Sequence, residues 1–490
     1  MAGRANKNDA IHVAFTVDEG LLMQAVVAAH GMAARAAADE RHVVHFVVPS
    51  EAAGKAQEAA QLLEQAHASL SCEVCTVPPE LFARFEQAAA TNHLPASSYS
   101  RLALCEMLPQ VDRVIYLDAD VCVLGSLAEL WSTDLAGNYL AGVTDIFCGM
   151  VGDFRAQHEQ AIGFAYERDY VGSGVLLMDL AAMRRDGLAE RFMRELGRDY
   201  PFGDQDIFNV VCRGRIRLVP LRYYVPEHEL RSGLLATRTC FPEHELAEVL
   251  QGGACVLHYI GREAKPWDYL QMRWAERWRE DARAILPPEM LAAVEEQARA
   301  YARSLSYTGL LEQCRAAQSV WVYGFTQVAR GLADRLAASG TCRVQGFFDQ
   351  DPAKQGRGHK GAVCHDPAQI SELVGPDDLL VIATQQNYGP VRKELRRRGL
   401  EPAHVARYQR KDAAYYRELL PEAYAYELDE LRRALALDAR PERAELGTLA
   451  REELAAELCS GRYPALEEEF CLREWLLGSQ GGEAPWTSMS

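Results

Sequence analysis

The chain has 490 residues, which at about 150 residues per domain is enough for roughly three domains. Hydrophobic residues make up 49% and charged residues 25% of the chain, values that exclude a wholly disordered or fibrous protein. Acidic residues outnumber basic ones by 69 to 52, for a net charge of −17. This balance argues against a nucleic-acid partner, because such binding depends on clustered basic side chains.

The sequence predicts neither a membrane span nor a disulfide framework. No apolar run reaches the about 18 residues of a transmembrane helix, and the first nine residues are polar, so we expect no signal region. The 13 cysteines are odd in number and lie mostly in apolar runs, which favours buried thiols in a reducing cytoplasm. Cys72 and Cys75 have metal-like spacing, but without a second pair we interpret them as unrelated thiols of a strand.

Residues 10–270 alternate strand-like and helix-like segments, which predicts crossover units and a mostly parallel sheet. The predicted strands are 11–17, 43–48 and 114–117, and the predicted helices are 20–38 and 51–67.

Three further regions are predicted after this domain. Residues 271–316 form a helical linker, and residues 317–410 form a second α/β domain. Its strands are expected at 319–323, 344–348 and 379–383, and its first helix at 326–339. Residues 411–490 read as an acidic helical tail, with nine basic against seventeen acidic residues. The tail is either a solvated helical hairpin on the preceding domain or a docking surface for a basic partner.

The most informative segment is residues 113–123, where a short apolar strand runs into Asp118 and Asp120. In an extended backbone, side chains at i and i+2 point to the same side. The two carboxylates can therefore converge on one hard cation at the carboxyl end of a strand, where open α/β sheets bind ligands. The alternative is that one aspartate caps a helix while the other lies in a surface turn.

Four further segments accompany the aspartates in order. They are residues 99–109 (YSRLALCEMLP), 172–180 (GSGVLLMDL), 203–209 (GDQDIFN) and 258–267 (HYIGREAKPW). With these motifs, residues 10–270 resemble the retaining glycosyltransferases of family 8, which include bacterial lipopolysaccharide galactosyl- and glucosyltransferases and glycogenin. The resemblance implies a GT-A fold, a UDP-hexose donor, and Mn²⁺ or Mg²⁺ as the metal ion.

The resemblance assigns a metal and diphosphate site. Asp118, Asp120 and His258 would hold the ion, Lys265 would place a positive charge beside the phosphates, and Gly261 would let the backbone approach them. The alternative for His258 is a core histidine whose hydrogen bonds are satisfied within a strand.

The resemblance also assigns the sugar site. Arg101 would bridge sugar and diphosphate, although a surface ion pair is the alternative, and Asp145 would bind donor hydroxyls. Asp204 would accept hydrogen bonds from the sugar, unless it is the N-cap of the following helix. Gln205 would lie against the anomeric centre. Because glutamine is a poor nucleophile, we favour same-face substitution with the departing phosphate as base over a covalent intermediate.

Thr16 and Asp18 would contact uridine in the same comparison. Two departures stand out. The family commonly has Asn and Tyr shortly after these residues, where this chain has Gly20 and Leu21, and Gly172 replaces an asparagine near the sugar.

Residues 321–331 (WVYGFTQVARG) open the second α/β domain with a strand, a turn and a helix start. Gly324 and Ala329 fit a dinucleotide-binding turn, but Thr326 stands where the middle glycine is needed. Asp349 follows the next strand at a ribose-binding distance. This segment resembles the sugar-nucleotide-binding domains of bacterial sugar acyltransferases, and a purely structural or regulatory domain is the alternative.

The sequence therefore predicts a metal-dependent retaining hexosyltransferase that acts on a bacterial surface glycan such as lipopolysaccharide. The alternatives are a protein- or self-glucosylating transferase and a non-catalytic sugar-nucleotide sensor. We expect a cytoplasmic protein with a glycan or lipid-linked glycan as acceptor. If the acceptor is lipid-linked, we expect peripheral attachment at the inner membrane.

Overall fold

The computed structural model describes residues 10–92, 94–149, 153–166, 168–261, 265–383, 388–408, 423–463 and 466. The chain divides into two compact units. The first comprises Met1–Lys265 and Arg277–Leu291, and the second comprises Pro266–Glu276 and Ala292–Ser490.

Ten strands are described in the first unit. They are β1 (Ile11–Thr16), β2 (His42–Pro49), β3 (Leu70–Val77), β4 (Arg113–Leu117), β5 (Val121–Val123), β6 (Leu140–Thr144), β7 (Val171–Asp179), β8 (Ile216–Leu218), β9 (Val225–Pro226) and β10 (Val256–His258). Seven of them form the main sheet in the order β3-β2-β1-β4-β7-β6-β8. β1 pairs in parallel with β2 and β4, whereas β7 is antiparallel to β4 and β6. The predicted mostly parallel sheet is confirmed, with β7 as the reversed strand.

The main sheet is covered on both faces, which explains the apolar runs in its strands. Every residue of β2 is buried. The predicted strand around Cys72 and Cys75 is β3, and both of its thiols are free.

A second, small sheet brings the end of the unit back to the main sheet. Its order is β5-β10-β9, and β10 is antiparallel to β5. In this register His258 pairs with Val121, the residue directly after Asp120. The small sheet thus places the histidine beside the two aspartates.

Helices connect the strands. Up to residue 285 they are Leu22–Ala34, Ala53–Ala66, Pro79–Asn92, Ala96–Tyr99, Leu104–Met107, Ala128–Trp131, Asp153–Ile162, Leu180–Arg185, Leu188–Glu195, Asp204–Val211, Glu227–Arg231, Glu243–Leu250 and Glu276–Ile285. The helix predicted over 20–38 is shorter, because a 3-10 turn at Glu19–Leu21 precedes it and it ends at Ala34. Pro288–Ser304 is the longest described helix of the predicted linker.

The second unit contains a six-stranded sheet. Its strands are β11 (Val320–Tyr323), β12 (Val344–Phe348), β13 (Gly358–His359), β14 (Ala362–His365), β15 (Leu379–Ile382) and β16 (His404–Arg407), in the order β13-β14-β12-β11-β15-β16. All neighbouring pairs are parallel except β13 with β14. The helices around the sheet are Tyr307–Ala316, Gln327–Ala338, Ile370–Leu373 and Tyr388–Arg397. The predicted α/β class is confirmed here too.

The turn after β11 follows the predicted pattern. Gly324 has a φ of +103°, and the Thr326 hydroxyl caps the next helix by accepting from the Ala329 N–H at 3.2 Å. The Asp349 carboxylate accepts from the Phe325 N–H at 2.8 Å and contacts the Lys354 ammonium at 3.0 Å. These contacts stabilise the turn, and ligand binding there stays a prediction.

The predicted acidic tail is helical over its described residues, at Ala423–Ala436, Pro441–Leu446 and Arg451–Cys459. These helices share a buried cluster that includes Leu435 and Leu454. The remaining residues of 411–490 lie outside the described residues. Among the described helices, none combines the length and hydropathy needed to cross a membrane.

Candidate active site

Asp118 and Asp120 lie in a turn between β4 and β5. The extended backbone assumed from the sequence is therefore wrong at this point. Two backbone hydrogen bonds hold the turn: the Asp118 N–H donates to the Gly174 carbonyl at 2.9 Å, and the Asp120 carbonyl accepts from the Tyr259 N–H at 3.0 Å. The carboxylates converge because the turn is held at both ends, by β7 and by the chain after β10.

His258 completes a group of three possible metal ligands. Its Nε2 lies 2.9 Å from Oδ1 of Asp120 and 3.6 Å from Oδ2 of Asp118. One ligand atom from each of the three residues lies within 4.8 Å of the others. The imidazole is buried, and its Nδ1 has no hydrogen-bond partner among the residues that the structure describes. A histidine satisfied entirely by core hydrogen bonds does not describe this arrangement.

The donor set fits a hard divalent cation. Ligands bound at about 2.1 Å in octahedral geometry lie about 3 Å apart, close to the spacings between His258 and the carboxylates. Two carboxylates with one imidazole suit Mn²⁺ or Mg²⁺ better than a soft metal, which prefers thiolates.

Lys265 contacts one of the two carboxylates, that of Asp120. Its Nζ contacts Oδ2 of Asp120 and donates to the Tyr259 carbonyl at 2.7 Å. Although burial opposes ionisation, Lys265 and His258 hold the pKa of Asp120 well below its usual range. Gly261 has a φ of +92°, a conformation that favours glycine, and a β-carbon there would meet no atom of the described residues within 4 Å.

Arg101 is buried, so the alternative of a surface ion pair is wrong. Its Nη1 lies 3.0 Å from Oδ1 of Asp118, and its Nε lies 3.0 Å from Oδ2 of Asp204. Nη1 also donates to the Ser173 carbonyl at 2.9 Å. Burial opposes the charge, yet these carboxylates raise the pKa of Arg101 above its usual value. The guanidinium therefore links the metal-site turn to the helix that carries Asp204.

Asp204 is the first residue of the helix Asp204–Val211, and Gly203 occupies the N-cap with a φ of +53°. The alternative of an N-cap carboxylate is therefore wrong. Burial raises the pKa of Asp204 to about 6, although Arg101 opposes that shift. The Asn209 amide fixes the helix against β7, because it bonds both the N–H and the carbonyl of Val171 at 2.9 Å.

Gln205 and Asp145 are joined by a hydrogen bond between their side chains. The Gln205 Nε2 donates to Oδ2 of Asp145 at 3.3 Å, and its Oε1 accepts from the Ser173 N–H at 3.0 Å. Asp145 directly follows β6, and burial raises its pKa to about 6. Ser173 connects this pair to Arg101 through its backbone.

Thr16 and Asp18 occupy different surroundings. The Tyr116 hydroxyl donates to Oδ1 of Asp118 at 2.7 Å and lies 3.2 Å from Oγ1 of Thr16, which joins Thr16 to the metal-site turn. Asp18 instead accepts from the Gly20 N–H at 3.0 Å and the Ser97 hydroxyl at 3.1 Å. Tyr116 was not singled out from the sequence, but a tyrosine two residues before Asp118 on an apolar strand was the available signal.

The two glycines of the 172–180 segment are closely packed. A β-carbon on Gly172 would lie 2.6 Å from the Tyr224 ring, and one on Gly174 would lie 2.8 Å from Oδ2 of Asp118. The asparagine that the resemblance implies at position 172 would require Tyr224 to move.

Most of the predicted site residues lie together in the first unit. One connected set is formed by Asp118, Asp120, His258, Lys265, Arg101, Asp204, Gln205 and Asp145, and Thr16 joins it through Tyr116. Asp18 contacts Gly20 and Ser97 instead.

Comparison with known proteins assigns the chain to a family. A model described as glycosyl transferase family 8 matches residues 12–271. A Haemophilus influenzae protein named as a glycosyltransferase is 25% identical over 172 residues, which are 34% of this chain and 50% of that protein. Galacturonosyltransferase-like protein 9 of Arabidopsis thaliana is 27% identical over 276 residues, 52% of this chain and 67% of that protein.

Solved structures of glycosyltransferases are also similar to this chain. WbbM, a bifunctional glycosyltransferase, is 19% identical with a TM-score of 0.50, covering 61% of this chain and 53% of that chain. The galactosyltransferase LgtC is 26% identical to this chain with a TM-score of 0.47, and the match covers 58% of this chain and 99% of LgtC. The match to WbbM confirms the GT-A fold. This chain spans half of the Haemophilus influenzae relative and about half of WbbM.

Proposed function

The chain belongs to glycosyl transferase family 8, and we propose that it is a metal-dependent retaining transferase that moves a hexose from a UDP-sugar to a bacterial surface glycan. The observation that supports this most is the group of Asp118, Asp120 and His258, whose ligand atoms lie within 4.8 Å of one another.

In this proposal Asp118, Asp120 and His258 hold the divalent ion and Lys265 faces the donor diphosphate. Bound Mn²⁺ or Mg²⁺ would neutralise the diphosphate and stabilise the charge that develops as the glycosidic bond breaks. The Lys265 ammonium, which contacts Asp120, would add its positive charge to that of the bound ion. Gly261, whose β-carbon would meet no described residue, is proposed to let phosphate oxygens approach the backbone.

The sugar is proposed to lie between Arg101 and Gln205. Arg101 is held by Asp118 and Asp204, so its guanidinium has a fixed position beside the leaving group. Asp145 accepts hydrogen bonds from sugar hydroxyls, and Gln205 lies against the anomeric carbon. An amide oxygen is a weak nucleophile, so attack and departure on one face, with the leaving phosphate oxygen taking the acceptor proton, remains our proposed route.

The uridine is proposed to contact Thr16 and Asp18. Asp18 is half-buried at the start of the turn after β1. That turn follows the carboxyl end of a central strand, where open α/β sheets bind their ligands.

The acceptor is proposed to be a glycan, free or lipid-linked, and the protein to work in the cytoplasm or at the inner membrane surface. LgtC was solved with donor and acceptor sugar analogues, and the Arabidopsis relative is named for galacturonosyl transfer. Uronic acid donors therefore belong in a screen beside glucose and galactose. We propose that residues 317–410 form a separate domain that either binds a sugar nucleotide or has a purely structural or regulatory role.

Release of UDP tests the proposal. Wild-type protein with Mn²⁺ is incubated with UDP-glucose, UDP-galactose and UDP-galacturonate, with and without glycan acceptors. We expect release from one donor, loss of release in Asp120→Ala, and unchanged release in the control Asp112→Ala, whose carboxylate is 86% exposed. Absence of release with every donor, or full release by Asp120→Ala, would contradict the proposal. A mass gain of the protein itself would indicate self-glycosylation.

A further inference from the structure

A network of hydrogen bonds connects His158 to Gln205 through Asp206 and Tyr170. Oδ1 of Asp206 lies 2.7 Å from Nε2 of His158 and accepts from the Tyr170 hydroxyl at 2.6 Å, while its Oδ2 accepts from the Phe202 N–H at 2.8 Å. The Tyr170 hydroxyl in turn lies 3.2 Å from Nε2 of Gln205. Asp206 and His158 are 0% and 1% exposed, so water does not compete for these bonds.

An ionised Asp206 fixes the directions of the hydrogen bonds between Asp206, Tyr170 and Gln205. An ionised carboxylate accepts and never donates, so the single hydroxyl proton of Tyr170 goes to Asp206. Burial raises the pKa of Tyr170 well above its usual value, which keeps that proton in place. The Tyr170 oxygen is then left to accept, and Nε2 of Gln205 is the donor beside it.

The other hydrogen bonds of the Gln205 side-chain amide support the same orientation. Nε2 of Gln205 also donates to Oδ2 of Asp145 at 3.3 Å, and Oε1 accepts from the Ser173 N–H at 3.0 Å. A reversed amide would set its NH₂ against the Ser173 N–H and its oxygen against the Asp145 carboxylate. Both contacts would be repulsive, and because Gln205 is largely shielded from water, they would be costly.

We propose that Tyr170, held by Asp206, is a positioning residue that fixes the orientation of the Gln205 amide in the transferase site. The inference rests on the proposed function, in which the Gln205 amide meets the reacting sugar. Asp206 belongs to the 203–209 segment, but the sequence assigned no role to it, and His158 and Tyr170 lie in no motif.

Two tyrosines of the same buried cluster provide a matched pair of variants. Tyr170→Phe removes the hydroxyl that contacts Gln205. Tyr166→Phe removes the hydroxyl of an equally buried tyrosine. That hydroxyl lies 2.9 Å from Nδ1 of His158 and makes no hydrogen bond to Gln205 or Asp206. A role limited to packing and stability predicts the same result for both variants, whereas a positioning role separates them.

The first measurement is steady-state UDP release. We expect Tyr170→Phe to lower kcat by about 10- to 100-fold, as misplaced catalytic groups do, with the donor KM changed by less than about twofold because ground-state binding is kept. Tyr166→Phe is expected to keep the wild-type kcat. Equal loss of kcat in both variants, or no loss in Tyr170→Phe, would overturn the proposal.

The second measurement does not need activity. In protein labelled with ¹⁵N-glutamine, the side-chain NH₂ signals of Gln205 are assigned by their loss in Gln205→Glu. We expect two resolved, exchange-protected signals in the wild type and at least about tenfold faster exchange in Tyr170→Phe, because one of the two anchors of the NH₂ is gone. Unprotected wild-type signals would overturn the proposal even if Tyr170→Phe failed to fold. If the wild type released no UDP at all, the proposed function would fail, and this measurement would still decide the role of Tyr170.

Discussion

Gly174 lies so close to His258 that a β-carbon at position 174 would come within 2.4 Å of Cε1 of the imidazole. The backbone of β7 thus forms one wall of the proposed metal site. Even one extra methyl group on that wall would have to displace the imidazole or the neighbouring carboxylate.

Gly174→Ala is therefore expected to weaken Mn²⁺ binding by about 10- to 100-fold, the range found when the groups that orient metal ligands are changed. Isothermal titration calorimetry measures the affinity directly. Gly125→Ala is the control, because its β-carbon would meet only the Cys255 sulfur at an ordinary 3.5 Å. Equal affinity in the wild type and Gly174→Ala would contradict the assigned wall.

Arg101→Met is expected to lower the free energy of unfolding by about 3 kcal/mol, since it leaves the buried Asp204 carboxylate and the partly exposed Asp118 carboxylate without their cation. Arg101 contacts Asp118 and Asp204 at 3.0 Å each. Urea denaturation measures the loss. The double variant Arg101→Met/Asp204→Asn should recover part of it, because the charge left uncompensated at position 204 is gone. Additive losses would show that Arg101 and Asp204 are not coupled.

The contribution of Asp145 to the stability of the protein is expected to fall as the pH rises from about 4 to about 6. Burial raises the pKa of Asp145 to about 6, whereas an unfolded aspartate titrates near about 3.9. Over this interval the folded state retains a proton that the unfolded state releases, so the contribution is complete below the lower pKa and lost above the higher one, by about 3 kcal/mol.

Asp145→Asn removes this titration. Its free energy of unfolding, followed by urea denaturation at several pH values, should change less between pH about 4 and about 7 than that of the wild type. Asp112→Asn, an exposed carboxylate, should follow the wild type. Parallel curves for Asp145→Asn and the wild type would mean that the Asp145 carboxyl is not held protonated in the folded protein.

Lys265→Ala is expected to strengthen Mn²⁺ binding in the absence of donor and to weaken donor binding. The ammonium contacts Oδ2 of Asp120, so it repels and competes with a cation at the same carboxylate. Removing one charge at this range changes affinity by about tenfold. Calorimetry with Mn²⁺ alone, and the donor KM, measure the two effects. Weaker Mn²⁺ binding in Lys265→Ala would contradict the competition.

Much of the fold could be predicted from the sequence because its strands are strongly apolar. β1, β2 and β4 lie within one or two residues of their predicted bounds. The reversed direction of β7 could not be predicted, since an apolar run such as GSGVLLMD reads the same in either direction. The start of the helix predicted at residue 20 differs because Asp18 caps a 3-10 turn there.

The metal-site residues were also predictable, but the geometry that joins them was not. The Asp-x-Asp spacing suggested an extended backbone, whereas a turn held by Gly174 and Tyr259 brings the carboxylates together. The contacts of Arg101 with Asp204 and of Gln205 with Asp145 span 103 and 60 positions, and no local pattern encodes such pairs. The packing of Gly172 against Tyr224 is likewise visible only in three dimensions.

Counting bound Mn²⁺ in the presence of UDP tests directly whether Asp118, Asp120 and His258 form a divalent-cation site. Electron paramagnetic resonance measures the free ion during the titration. We expect one ion per chain for the wild type and for Asp112→Ala, and none at the same concentration for Asp118→Ala, Asp120→Ala or His258→Ala. Binding of one ion by all three site variants, or of none by the wild type, would contradict this assignment.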